Sequence, residues 1–232
     1  MSDPVVIVSI ARTPMGGFQG ALSGVKATEL GATAVRAAVE RAGIPAADVE
    51  EVMMGCVLPA GQGQAPARQA SLGAGLPLGA GCTTVNKMCG SGMKATMLAH
   101  DLLLAGTNRV MVAGGMESMS NAPYLLPKAR TGYRMGHQQV LDHMFLDGIE
   151  DAYDKDLLMG SFAEDCASKY AFTREAQDAF AVASLERAQR ASTAGDFSWE
   201  IAPVTVKSGK SEKIVDRDEQ PFKADFAKIP QL

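Results

Sequence analysis

The first 120 residues alternate short apolar runs with stretches in which apolar side chains recur every three or four positions, the pattern of strands and helices taken in turn. Val5 to Ile10 is a continuous apolar run and predicts a strand buried on both faces. Leu30, Val35, Ala38, Val39 and Ala42 recur at helical spacing, so residues 27–42 predict a helix, with Thr28 as its cap and Gly43 closing it. After a short turn at 46–48, Glu51 to Val57 predicts a second strand. Pro66 to Leu72 predicts a helix whose proline sits in the first turn, where its missing N–H is not needed. Thr83 to Asn86 predicts a short strand, Met93 to Leu104 a helix ended by Gly106, and Arg109 to Ala113 another buried strand. Strands alternating with helices imply an α/β fold: a parallel or mixed sheet with helices on its faces.

The pattern breaks after Ser120. Residues 121–160 hold prolines, glycines, aromatics and histidines with no steady period. Residues 173–194 return to a helix, with Thr173 at the N-cap, Glu175 and Asp178 at the positive end of the dipole, and Phe180, Ala183, Ser184, Leu185 and Ala188 giving an apolar or small face. Ile201 to Val206 predicts an edge strand carrying a proline, Lys207 to Lys213 a polar turn, and Ile214–Val215 a short strand. The chain therefore divides into an α/β core over 1–120 and a less regular region over 121–232.

Composition narrows the class. A chain of 232 residues buries one sizeable core, or one core and an appendage. A mean hydropathy of +0.01 and a formal charge of −4 suit a soluble globular protein and give no basic footprint for nucleic acid. No apolar run is long enough to cross a bilayer, and Met1 to Pro4 lacks the form of a secretory signal. Cys56, Cys82, Cys89 and Cys166 are scattered, which fits a reduced cytoplasmic compartment better than a disulfide framework, and Cys56, Cys82 and Cys166 read most simply as packing residues. His100, His137 and His143 have no ligand spacing with any cysteine, so no metal site is expected.

Chemistry concentrates at Cys89. An apolar lead-in ends in Asn86-Lys87-Met88-Cys89-Gly90-Ser91-Gly92, and a helical pattern follows. That order places a thiol in a strand-to-helix turn, where unpaired N–H groups and the helix dipole favour thiolate. Gly90 and Gly92 would let a substrate approach the backbone. Two readings fit these residues: an acyl-transfer nucleophile, or a small buried hydrophobe, the usual fate of a free cysteine.

Asn86 to Ala95 resembles the nucleophile signature of the thiolases, which make or break carbon–carbon bonds between acyl-CoA units. The likeness continues at Ser9–Pro14, Ala27–Gly31, Gly61–Gln69, Val112–Ser120, Leu158–Glu164 and Thr173–Asp178, in order along nearly the whole chain. It implies the N-terminal half of the thiolase fold, a mixed sheet with helices on both faces, plus an inserted covering domain over 121–232 that is incomplete. It implies that Cys89 takes the acyl group while its backbone N–H lines an oxyanion site, that Gly90 borders the substrate, and that Met159 lies over the acyl-thioester. Leu158 stands where short-chain biosynthetic members carry histidine. Arg217 and Lys223 fall in the region that lies near the CoA nucleotide in the family, although solvated surface charge is the better explanation of both. Acetyl-CoA and CoA are the implied substrates, with no tightly bound cofactor and a homo-oligomer, dimer or tetramer, as the assembly. The family's second α/β half supplies a Gly-His-Pro histidine, a second cysteine and an asparagine, and the corresponding motifs do not occur here. The expectation is thus a thiolase-type acyltransferase whose second half lies outside this chain. The rival readings are a non-catalytic binding or assembly module, one chain of a two-chain enzyme, and, ranked lower, a decarboxylating condensing enzyme.

Overall fold

The computed structural model describes residues 4–209 and 211–232. Met1 to Asp3, which enter the signal-sequence argument, and Lys210, inside the expected polar turn, lie outside them.

The α/β pattern is realised over the first half. Helix α1 spans Ala27–Ala42, strand β1 Glu51–Gly55, helix α2 Pro66–Gly73, strand β2 Gly81–Val85, helix α3 Ser91–Leu104 and strand β3 Met111–Gly115. The sheet order is β2-β1-β3, and both pairings are parallel, Val52 lying between Cys82 and Val112. Alternation along the central strand assigns the two faces. Val52 and Met54 join the main core with Val35 and Val39 of α1 and Ala67 and Ala70 of α2. Gly55 faces the other way, onto the first turn of α3. Helices therefore cover both faces, α1 and α2 on one and α3 on the other.

Local chemistry sets the helix ends. Gly43 closes α1 at φ 66, a left-handed conformation in which a Cβ would be strained. The cap of α1 is Lys26 rather than Thr28: the Lys26 N–H donates to Glu29 Oε2 at 3.0 Å, while Thr28 is buried in the first turn.

The second half is thinner. A two-stranded pair, β4 (Tyr124–Leu125) and β5 (Leu141–Asp142), leads into a single π-turn at Phe145–Ile149. Helix α4 spans Met159–Lys169, a helix the sequence reading did not separate from its irregular surroundings. Helix α5 spans Arg174–Ala194, and Thr173 Oγ1 accepts from the Ala176 N–H at its start, as expected. Strands β6 (Val204–Ser208) and β7 (Ser211–Val215) form an antiparallel hairpin, followed by the short helix α6 (Gln220–Lys223). Leu22 and Val25 pack with Val204 and Val215 in a second small core.

A charged clasp joins this region to the start of the chain. Arg12 makes a bidentate contact with Asp218, at 2.7 and 2.9 Å, and its Nε reaches Glu200 at 2.5 Å. Glu219 Oε2 accepts from the Gly17 and Ala21 N–H groups at 2.8 and 2.9 Å.

Two further expectations fail. Val5 to Ile10 forms no strand, and Val6, Ile7 and Val8 are 64, 79 and 66 % exposed. An apolar run becomes a buried strand only where neighbours supply a ladder and two covering faces, and the described residues supply neither. Phe180, placed on an apolar face of α5, is exposed, and none of that helix's residues is buried.

Candidate active site

Cys89 sits where the sequence order predicts, between β2 and α3, at the carboxyl end of a parallel sheet. Ligands of open α/β sheets collect at that end. The turn is held in a costly conformation: Met88 has φ 48, the left-handed region that residues other than glycine rarely enter. Two side chains hold it. Ser91 Oγ donates to the Met88 carbonyl at 2.5 Å and accepts from the Lys87 N–H at 2.9 Å. Asn86 Oδ1 accepts from the Met88 N–H at 3.0 Å.

Glycines bring this turn down onto the sheet. A Cβ on Gly55 would lie 2.5 Å from the Gly92 nitrogen, and one on Gly115 would lie 3.4 Å from the Gly92 Cα. The first turn of α3 therefore rests on β1 and β3 with backbone against backbone. Gly90 differs. It caps α3 at φ −90, which any residue adopts, and a Cβ there would make only an ordinary 3.5 Å contact with the Lys87 carbonyl. Its missing side chain leaves open space beside the thiol.

Cys89 is exposed. Among the described residues neither its thiol nor its N–H has a hydrogen-bond partner. The burial reading of Cys89 thus fails, and a free thiol and a free amide stand together at the amino end of a helix. Cys56 takes the buried role instead. Burial and the charge of Glu117 push its thiol up to about 11. Cys166 is exposed on α4, against the expectation that it packs.

The other expected residues lie apart. Met159 opens α4 half-exposed, and α4 has no packed face against α3. His100 lies on α3, exposed and 3.3 Å from Asp101. His143 is buried, its Nδ1 2.6 Å from Asp147. Arg217 lies over the Phe222 ring at 3.3 Å and lines a cavity of about 300 Å³ with Lys213 and Lys223, Lys223 being paired with Glu219. Sequence reasoning missed Glu117, whose carboxylate binds the amides of Val57 and Leu58. It also missed Asn86 as a turn former, although an asparagine just after a strand is a recognisable Asx-turn signal.

Residues 5–228 match the thiolase N-terminal domain, and the chain belongs to the thiolase family. It is 54% identical over 230 residues to acetyl-CoA acetyltransferase 2 of Arabidopsis thaliana, covering 98% of this chain and 57% of that protein. It is 50% identical over 229 residues to the mitochondrial acetyl-CoA acetyltransferase of Homo sapiens, covering 98% of this chain and 53% of that protein. The crystal structure of Acat5 thiolase from Ascaris suum in complex with coenzyme A superposes with a TM-score of 0.90 at 36% identity, over 97% of this chain and 57% of that one. The fold is the N-terminal half of the thiolase fold, and the chain spans about half the length of the relatives it matches. The cytoplasmic expectation is corrected by the same comparison: the human and rat relatives are mitochondrial enzymes. Unpaired cysteines report a reducing environment and do not tell one reducing compartment from another.

Proposed function

We propose that this chain is the nucleophile-bearing part of an acetyl-CoA acetyltransferase or 3-ketoacyl-CoA thiolase. The observation that carries the reading is the exposed Cys89 thiol in a strained turn, with its own unpartnered N–H at the amino end of α3. The Cys89 sulfur attacks the carbonyl carbon of an acyl-CoA thioester. A sulfur–carbon bond forms, the bond to CoA breaks, and CoA leaves as a thiol after taking up a proton. A second acyl-CoA thioester then gives up a proton from its α-carbon to a base, and that carbon attacks the acyl carbonyl. A carbon–carbon bond forms, and the sulfur–carbon bond to Cys89 breaks to return the thiolate. Cleavage of a 3-ketoacyl-CoA runs the same steps in reverse, with free CoA as the final acyl acceptor. The Cys89 N–H donates to the developing oxyanion, a contribution of the order of 3 kcal/mol where one such donor has been removed elsewhere.

Gly90 leaves room for the thioester beside the sulfur, and Met159 covers the pantetheine end from the 121–232 region. Lys213, Arg217 and Lys223 line their cavity together with Asp216, Asp218 and Glu219, so its charges balance and it is not assigned to the anionic end of CoA. The coenzyme A bound to the Ascaris suum relative supports the acyl-CoA substrate class. No base stands at Cys89: His100 is eleven residues along α3, about 16 Å at 1.5 Å per residue, and among the described residues no carboxylate or imidazole hydrogen-bonds the thiol. Turnover therefore requires a C-terminal half, in the same polypeptide or a second one, within a dimer or tetramer. The same missing base favours a second reading for the chain taken alone, a binding or assembly module without turnover.

The test supplies the C-terminal half of a relative and incubates the assembly with acetyl-CoA. Peptide mapping is expected to find acetyl on Cys89 and none after Cys89→Ser, since an alcohol is far harder to activate. Acetyl capture that survives the substitution refutes the assignment.

A further inference from the structure

We propose that Glu117 is a positioning residue for the nucleophile turn, an inference that rests on the assignment of Cys89 as the acyl acceptor. Glu117 follows β3 and reaches across to the segment that follows β1. One carboxylate oxygen accepts from the Val57 N–H at 2.8 Å, and the other accepts from the Leu58 N–H at 3.0 Å. The Cys56 thiol lies 3.6 Å from the second oxygen. Charge-assisted bonds of this kind are about twice as strong as neutral ones. Two consecutive amides on one carboxylate fix the peptide between them in place.

That peptide is where the three strand ends meet. The Cys56 N–H donates to the Val85 carbonyl at 3.0 Å, and the Met116 N–H donates to the Gly55 carbonyl at 2.9 Å. The Val57 carbonyl accepts from Asn86 Nδ2 at 3.5 Å. The same Asn86 holds the Met88 N–H through its Oδ1. A continuous path therefore runs from the Glu117 carboxylate through Val57 and Asn86 to the left-handed Met88, the residue before the nucleophile. Freed of Glu117, the Val57 peptide rotates, Asn86 loses its far anchor, and the strained φ of Met88 relaxes. The thiol then leaves the amino end of α3 for part of the time. The substitution Glu117→Gln keeps the shape but offers one acceptor oxygen and one amide donor, the latter set against a backbone N–H.

The experiment follows iodoacetamide alkylation of Cys89 in the folded 232-residue chain at pH 7, with exposed Cys166 as internal reference. Glu117→Gln is expected to slow Cys89 at least three-fold while Cys166 is unchanged. Loss of less than three-fold, or an equal loss at Cys166, overturns the proposal, because a merely structural carboxylate lowers the melting temperature without singling out one thiol. Should Glu117→Gln fail to fold, Glu117→Asp carries the same test, its shorter arm reaching one amide instead of two. Asn86→Ala combined with either variant is expected to add less than its own separate effect, and full additivity overturns the path. None of these readouts uses acyl transfer, so an absence of acetyl on Cys89 would undo the functional reading and leave this measurement interpretable.

Discussion

Four cysteines of identical covalent structure are sorted by their surroundings. Cys56 is buried beside a carboxylate, and its thiol is pushed up to about 11. At pH 8 it is thiolate only about one part in a thousand, since each unit of separation is a factor of ten. Cys89 is exposed and free. Limited iodoacetamide treatment at pH 8, mapped by mass spectrometry, is expected to label Cys89 and leave Cys56 untouched. Labelling of Cys56 before Cys89 would contradict both environments. The rise in its pKa makes Cys56 reactive only as pH climbs past 10, a window in which the rest of the fold is also stressed.

Between elements, close approach and charge set the tolerances. The contact of α3 with β1 depends on the missing side chain of Gly55, because a Cβ there meets backbone atoms of Ser91 and Gly92 at 2.5 Å. Backbone cannot step aside as a flexible side chain can. Gly55→Ala is expected to destabilise by on the order of 3 kcal/mol, read as a shifted urea midpoint. A midpoint equal to the parent's would show that the helix end can lift freely. The clasp between residues 12–21 and 200–219 is expected to fail in acid. Burial raises the Asp218 carboxyl, but the Arg12 hydrogen bonds, the Met15 amide and the Arg12 charge outweigh it and leave it below its usual range. Glu219 is lowered to about 2, first by its Lys223 partner and then by the amides of Ala21 and Gly17. Both groups are depressed, so their stabilisation is complete above the ordinary carboxylate range near pH 4 and is lost as pH falls through the folded values. Thermal midpoints should be level between pH 7 and 5 and fall below pH 4. Asp218→Asn should cost about 2 kcal/mol at pH 7, less than a fully buried pair because Arg12 keeps contact with water, and should flatten the acid limb. An acid limb unchanged in that variant would place the sensitivity elsewhere.

At the scale of the whole molecule the surface is too large for the mass. Compact monomers of 24.3 kDa expose about 10,000 Å² by the scaling of area with mass, and this chain exposes 15102 Å². Part of the excess is apolar: Met93 and Met97 on the outer face of α3, and the Val6–Val8 run, stand in solvent. Patches of this kind drive association. The chain on its own is expected to self-associate at micromolar concentration in size-exclusion chromatography with light scattering, and to lose that tendency when the C-terminal half is added. A clean monomer with a cooperative melt at high temperature would show that these surfaces need no cover.

Much of this was legible from order and spacing alone. The helices near 27–42, 91–104 and 174–194, the alternation of strands and helices and the place of Cys89 follow from local periodicity, caps and glycines, which short-range sterics enforce wherever the chain goes. That β1 pairs in parallel with both neighbours was left open beside a mixed sheet. What sequence left open depends on partners far along the chain. Whether Val5–Ile10 is buried, whether Cys166 packs, and which carboxylate gathers the ends of the three strands are decided by which surfaces meet. Glu117 and Val57 are sixty positions apart in sequence and 2.8 Å apart in space, a juxtaposition no periodicity announces. Burial is a property of neighbours: an apolar run carries the tendency to be covered, and the tertiary structure supplies or withholds the cover.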